Sequence, residues 1–348
     1  MRIAWIVYGD LAQATGGYIY DRLVVEGLRA RGAEVELVDP RDGSATAACE
    51  RADVALGDAL CVRELGPLFE RVVGSARRVL LVHHLPSWEI ERSDRDVMRG
   101  YEARALAASD HAIATSDVTR ERLAGEGLAG ELVGLDVDVV VPGADRLARG
   151  ARASGDGGRV EILFVGSLVA RKRVALLLDA FESLPDPLPG LTLLGDPDRE
   201  PEYAGAIARR IEASAALRSS VTIAGVAGDD ALARWLARAD VLVLPSSLEG
   251  YGMVLTEALH AGLPVIAARP AATAAAIADH GAALVFDDQR DLARVLRRFV
   301  AEPALREAMR ARAAAADLPT WAGAVDSFQR VLAGARTRVP RRVGGEGP

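Results

Sequence analysis

Short apolar runs alternate with stretches of helical periodicity along nearly the whole chain. Ile3–Val7 is the first run, followed by a glycine-bearing loop through Gly16 and Gly17. A helix pattern then extends from about Ile19 to Arg31, and Gly32 stops it. Val35–Val38, Val54–Leu56, Val79–Val82, Ala112–Ala114 and Val137–Val141 read as further strands, with helical stretches such as Asp94–Ala108 between them. From Arg146 to Arg159 apolar content falls and four glycines occur, the composition of an interdomain linker. A second series follows, with strands at Val160–Val165, Leu191–Leu194, Val221–Ala224, Val241–Leu244, Val265–Ala267 and Ala283–Phe286. Helices are expected at Ala175–Leu184, near Tyr203–Ala216, at Ala231–Ala237 and Glu257–Ala261, from Asp291 to about Ala316, and from Trp321 to Ala333. The last dozen residues, rich in Arg, Gly and Pro, read as a frayed tail. Repeated βα units mean parallel sheets covered on both faces, so the pattern predicts two doubly wound α/β domains facing each other across a cleft.

The 348-residue length agrees with two domains. Half the residues are hydrophobic and 26% are charged, which excludes a largely disordered chain. A net charge of −7 argues against a protein that grips nucleic acid through bulk charge. Two cysteines, Cys49 and Cys61, with no C-x-x-C pair, offer neither a disulfide framework nor a zinc ribbon. The apolar stretch at the N-terminus is too short for a signal peptide or membrane span, so the expected protein is soluble and cytoplasmic. One further feature bears on chemistry: Lys172 is the single lysine among the 42 basic residues. The arginine-rich composition looks like a coding bias, so a lysine that remains is a candidate for a position that needs an ammonium, with chance as the alternative.

The most specific motif is Pro245-Ser-Ser-Leu-Glu-Gly-Tyr-Gly-Met-Val-Leu-Thr-Glu257, which leaves a strand, crosses a loop and enters a helix. Gly250 and Gly252 remove side chains where a ligand must approach the backbone. The free N–H groups of the helix start would face a phosphate. Glu249 in the loop could accept sugar hydroxyls, and Glu257, eight residues on, ribose hydroxyls. A plain strand–loop–helix with a capping acid is the alternative. The second motif, Phe164-Val-Gly-Ser-Leu-Val-Ala-Arg-Lys-Arg173, puts Arg171 and Lys172 at the first βα turn of the second domain, where guanidinium and ammonium suit a diphosphate. A solvated basic helix start is the simpler reading of the same residues.

Two weaker signals sit in the first domain. Thr15-Gly16-Gly17 lacks the G-x-G-x-x-G spacing of a dinucleotide site, though a glycine pair at a strand's carboxyl end can still touch a ligand. His83-His84 follows Val79–Val82, again at a carboxyl end, where structural histidines are also common. No zinc-binding spacing is present. Asp136-Val-Asp138 and Asp94-Arg-Asp96 mimic a D-x-D clamp, but lie beside a strand and in a helix, so no metal site is expected.

Taken together, these residues resemble glycosyltransferase family 4, whose members have the GT-B fold of two Rossmann-like domains and are mostly retaining enzymes. The resemblance covers nearly the whole chain: Thr15-Gly-Gly-Tyr-Ile-Tyr-Asp21, Leu80-Leu-Val-His-His84, Ala114-Thr-Ser116, Pro142-Gly-Ala-Asp145, Arg171-Lys172, Gly195-Asp196, Val221-Thr-Ile-Ala-Gly225, the Glu249/Glu257 segment and Thr320-Trp321. It implies that Arg171 and Lys172 hold the donor diphosphate, Glu249 the donor sugar and Glu257 the ribose, with His83 or His84 at the sugar. The donor would also meet Gly16, Gly17, Gly166, Ser167, Gly225, Val226, and the segment Gly250, Tyr251, Gly252, Met253, Val254 and Leu255. Ser167 stands where many members carry arginine, Arg173 where many carry glycine, and Pro142 in place of the usual asparagine.

The domain reading is therefore an acceptor-side domain over 1–146, a donor-side domain over 147–317, and a terminal segment over 318–348 whose helix crosses back to the first domain. The expected activity is metal-independent transfer, with retention, of a sugar from a nucleoside-diphosphate sugar to a small-molecule or soluble sugar acceptor. No cofactor beyond that co-substrate is expected, and no nucleic-acid partner or integral membrane segment. A nucleotide-sugar epimerase and a catalytically silent nucleotide-sugar binder are the alternatives. A nicotinamide oxidoreductase is disfavoured by the missing glycine fingerprint, and a phosphorylase by the lack of a second lysine for pyridoxal.

Overall fold

The computed structural model describes residues 1–125, 135–150, 159–275 and 277–337. Most of the linker read between Arg146 and Arg159, and the tail beyond Thr337, lie outside the described residues. The chain divides into two units: Met1–Pro142 with the chain from Thr320 onward, and Gly143–Pro319. The first crossing precedes Asp145 and Arg146, so both belong to the second unit.

The first unit carries six parallel strands: β1 (Arg2–Ile6), β2 (Glu34–Val38), β3 (Val54–Asp58), β4 (Arg77–Val82), β5 (His111–Ala114) and β6 (Val137–Val139), in the order β2-β1-β3-β4-β5-β6. The second carries β7 (Glu161–Val165), β8 (Gly190–Leu194), β9 (Val221–Gly225), β10 (Val241–Leu244), β11 (Val265–Ala268) and β12 (Ala283–Phe286), in the order β12-β11-β10-β7-β8-β9. Strands β10 and β11 are buried at every position, which is why they read as unbroken apolar runs, and β3 and β8 are as fully buried although they include Asp58 and Thr192. Each order reverses once, between β1 and β3 in the first sheet and between β7 and β10 in the second. Loops leaving neighbouring strands at such a reversal diverge and open a crevice at their carboxyl ends.

Local chemistry accounts for where the helices begin and end. Helix Gln289–Ala301 buries Leu292, Val295, Leu296 and Phe299, a spacing of three and four, and the Asp288 side chain accepts from Asp291 N at its start. The single helix expected from Asp291 to Ala316 is two. Pro303 forces Glu302 into an extended conformation and then opens helix Pro303–Ala314. Extended Ser214 likewise divides the stretch expected near Tyr203–Ala216 into Pro201–Ala213 and Ala215–Ser220. Gly16 and Gly17, expected in a loop, are the first residues of helix Gly16–Ala30. The strand pattern also passes over helices Ala45–Arg51, Val62–Arg71 and Asp117–Gly125. In Val62–Arg71 the signal is masked by Gly66-Pro67, yet Gly66 permits a close packing: a Cβ there would stand 2.7 Å from Arg104 of helix Arg95–Ala107.

The final helix, Trp321–Thr337, packs on helix Gly16–Ala30 within the first unit. Phe328 stacks on Trp5 of β1 with ring centroids 5.6 Å apart, and Trp321 meets Tyr20 edge-on at 5.7 Å. Each such pair adds about 1 kcal/mol to the burial itself. Gly27 makes room for the crossing, since a Cβ there would stand 2.5 Å from Val325. Among the described residues no helix is long and apolar enough to cross a membrane.

Candidate functional site

In the second unit, the two principal motifs leave β7 and β10, the neighbours on either side of the sheet's reversal. After β7 the chain turns through Gly166, at φ +152°, where a Cβ would crowd the Lys172 side chain at 3.3 Å. Gly195, which follows β8, supports that turn. A Cβ there would stand 1.9 Å from the Gly166 carbonyl, so only glycine fits beneath the loop. Residues Ala170–Lys172 then make one turn of 3-10 helix, and Arg173 adopts a left-handed conformation with φ +53° as it enters helix Val174–Glu182.

The loop after β10 is bonded directly to this turn. Ser247 N donates to the Arg171 carbonyl at 3.0 Å, and Arg171 Nη1 donates to the Leu248 carbonyl at 2.6 Å. Lys172 Nζ donates to Glu249 Oε1 at 2.6 Å, and Arg171 Nη1 lies 3.7 Å from the same oxygen. Burial by itself would raise the Glu249 carboxyl, but the charges of Lys172 and Arg171 outweigh it and hold the group at about 2. Burial pulls the Lys172 ammonium below its ordinary range, with Glu249 opposing. Two cations and one carboxylate therefore share a mostly enclosed pocket of charge, suited to an anion that takes over the cations.

Gly252, at φ +87°, ends the loop and caps helix Met253–His260. Leu255 N donates to the Gly252 carbonyl at 2.9 Å, and the Leu255 side chain is in the core. The backbone at Met253 and Val254 is thus the part of the helix start left for a ligand. Tyr251 is buried, whereas Gly225 ends β9 at φ +70° and Val226 beside it is exposed. Ser167 lies in the turn between Gly166 and Leu168, where Val169 N donates to its carbonyl. Glu257 is buried on helix Met253–His260, bonded to Arg146. Composition had put Arg146 in a linker, and nothing in its spacing marked it.

The first unit assembles a second group. His83, just beyond β4, places its Nε2 3.0 Å from Asp21 Oδ1, and its ring packs edge-on against Tyr20. It also explains Gly17: a Cβ there would stand 3.3 Å from the imidazole. His84 points elsewhere, to Glu89 at 2.9 Å, so His83 is the histidine that joins the glycine pair. Asp21 accepts from Trp5 Nε1 at 3.1 Å through its other oxygen. Asp58, at the end of β3, completes a fully buried carboxyl pair, and its Oδ2 lies 3.8 Å from His83 Nε2. Asp21 ends the Thr15–Asp21 segment but carries no role in the sequence reading, and Asp58, a single acid, has no periodic signature.

Among the described residues, Asp21, Asp58 and His83 form the group of three whose donor atoms converge, within 4.8 Å, as a cation would need. Burial raises Asp21 to about 7, against hydrogen bonds from Asp58 and Trp5. Burial, then the charge of Asp21, raises Asp58 well above the ordinary range. Burial also lowers the His83 imidazole, with Asp58 opposing. Asp21 has Trp5 Nε1 at one oxygen and His83 Nε2 at the other, while Asp58 Oδ2 is buried without a hydrogen-bond partner among the described residues.

Residues 152–316 match the family model described as "Glycosyl transferases group 1". The chain is 33% identical over 177 residues to a D-inositol 3-phosphate glycosyltransferase of Jonesia denitrificans, covering 49% of this chain and 41% of that one. It is 31% identical over 261 residues to the protein of the same name from Streptomyces avermitilis, covering 70% and 55%. The chain thus spans about half the length of the curated relatives it matches. Among solved structures it is similar to sucrose-phosphate synthase from Thermosynechococcus elongatus, with a TM-score of 0.76 at 22% identity over 96% of this chain and 98% of that one. It is also similar to Anabaena Alr3699/HepE in complex with UDP and glucose, with a TM-score of 0.78 at 15% identity over 96% and 100%. These likenesses show the fold: two Rossmann-like domains of the GT-B class.

Proposed function

We propose that this protein is a glycosyltransferase that moves a sugar, with retention, from a nucleoside-diphosphate sugar to a small soluble acceptor. The observation that carries the reading is the meeting of Arg171, Lys172 and Glu249 on the loops after β7 and β10. The match over residues 152–316 spans both loops. When the glycosidic bond of the donor breaks, charge develops on the departing diphosphate. Lys172 and Arg171 are the cations available to stabilise it, and the N–H groups at Met253 and Val254 add fixed dipoles. Glu249 then exchanges its ammonium partner for sugar hydroxyls, while Glu257 faces the ribose. Retention follows if the leaving phosphate accepts the acceptor's proton during attack on the same face, a route that needs no glycosidase-like carboxylate pair. The two cations at the diphosphate also make a divalent metal dispensable in this reading.

The curated relatives' names specify an inositol phosphate as their acceptor, and the Anabaena structure holds UDP and glucose. A polyol or sugar phosphate acceptor and a uridine-diphosphate donor are accordingly the first choices to try. The test is incubation with UDP-, GDP-, ADP- and TDP-sugars, first without acceptor and then with polyols, sugars and their phosphates. Slow donor hydrolysis that becomes product formation on adding acceptor supports the reading. Interconversion of the donor sugar would identify an epimerase, and binding with no turnover of any donor an inert binder.

A further inference from the structure

Arg146 is the most enclosed charged side chain near the motif acids that the proposed reaction leaves without a task. Only 4% of its side chain is exposed, and it is held between two carboxylates of the same unit. Its Nε donates to Glu257 Oε1 at 2.9 Å, and its Nη1 donates to Asp229, the first residue of helix Asp229–Arg238. The Glu257 side chain is itself 3% exposed. A guanidinium keeps its charge in proteins and so is a permanent partner for this carboxylate. The planar fork also sets direction. With Nη1 anchored on Asp229, the Nε–H can meet Glu257 along one line only, which fixes the carboxylate's plane. Arg146 engages Oε1 alone and leaves Oε2 without a hydrogen bond among the described residues.

We propose that Arg146 is a positioning residue for nucleotide recognition: anchored on Asp229, it holds Glu257 in one orientation so that the remaining oxygen accepts the ribose hydroxyls. The inference rests on the donor reading above and adds to it a residue outside both motifs. A carboxylate held in one orientation distinguishes a ribose from a deoxyribose better than a swinging one, because the strength of a hydrogen bond depends on its alignment. Arg146 therefore sets a selectivity and not only an affinity.

The experiment measures, by calorimetry, the affinity of the full chain for UDP, ADP and GDP, and for the 2′,3′-dideoxy form of whichever binds most tightly. The wild type is expected to prefer the ribonucleotide by about tenfold or more. Arg146→Met is expected to cut that preference to about two- to threefold while binding the dideoxy form nearly as the wild type does, with Arg146→Lys intermediate. Should Arg146→Met fail to fold, Asp229→Asn carries the test, since it removes a half-exposed partner. Its preference is expected to fall by about twofold or more. An unchanged preference in Arg146→Met, or in both Arg146→Lys and Asp229→Asn, overturns the proposal. So does an equal loss of affinity for both nucleotides, the mark of a merely structural arginine. Failure of the wild type to bind any of the three nucleotides would defeat the donor reading itself and this inference with it.

Discussion

Lys172 donates to Glu249 at 2.6 Å although 77 residues separate them, so the single lysine of the chain is paired with the first acid of the Glu249/Glu257 motif. A bound diphosphate must share that ammonium with the carboxylate or draw it away. In the proposed reading the ammonium then meets the leaving group. Lys172→Ala should therefore reduce turnover at saturating donor by about a hundredfold or more, and Arg171→Ala should act in the same direction. Initial rates of donor hydrolysis and transfer check this, and wild-type rates in both variants would place the diphosphate clamp elsewhere.

The same pair makes a statement about acid stability. Glu249 is held at about 2, below its ordinary range, by the charges of Lys172 and Arg171 acting against burial. A depressed carboxyl contributes stability that is present above the ordinary carboxylate range and lost as pH falls toward 2. In Lys172→Ala that contribution shrinks, and burial pushes Glu249 upward. The acid midpoint of unfolding, followed by circular dichroism, should move to higher pH in the variant. A midpoint unmoved or lowered would mean that the pair does not hold the carboxyl down.

The Asp21–Asp58 pair predicts the opposite slope near neutrality. Burial raises Asp21 to about 7 and lifts Asp58 well above the ordinary carboxylate range. A raised carboxyl contributes stability that is fully present below its ordinary range and lost as pH rises through the folded value. Denaturant titrations should therefore show stability declining between pH 5 and pH 8, by about 1 kcal/mol or more. Asp58→Asn removes one of the two buried carboxyls and should flatten the decline. An equally steep decline in that variant would locate the titrating group elsewhere.

Arg173 occupies a left-handed position, φ +53°, at which many members of the family it resembles carry glycine. A side chain there costs about 1 kcal/mol, partly offset by the greater freedom that glycine has in the unfolded chain. Arg173→Gly should leave stability unchanged or raise it by up to about 1 kcal/mol. Thermal melts decide the matter, and a clear loss of stability would show that the guanidinium makes a contact worth more than the strain.

Removal of divalent ions gives the last expectation. In the proposed reading Arg171 and Lys172 supply the cations at the diphosphate, so no divalent ion is needed there. Initial rates should be nearly the same with and without a chelator. Loss of activity that magnesium or manganese restores would assign Asp21, Asp58 and His83, or the donor phosphates, to a metal.

How far the residues alone reach differs between fold and site. Alternating apolar runs and helical periods are local properties, set by backbone geometry within a few residues, so the βα grammar and the division into two series could be read directly. So could the Glu249/Glu257 loop and Lys172, because glycines, acids and a helix entry occupy one contiguous segment. The breaks at Ser214 and Pro303 were legible in principle, since an N-cap serine and a first-turn proline are local signals, but periodicity ran over them.

The tertiary structure decided what no spacing encodes. Strand order, with β7 beside β10, brings the two motif loops together at the reversal of the sheet. Packing joins Arg146 to Glu257 across 111 residues, and Asp21 to His83 across 62. Sequence determined the elements and the charged loop residues because both depend on neighbours along the chain. The partners of those residues depend on neighbours in space, where burial leaves a charge only the counterion that the packed sheet brings within reach.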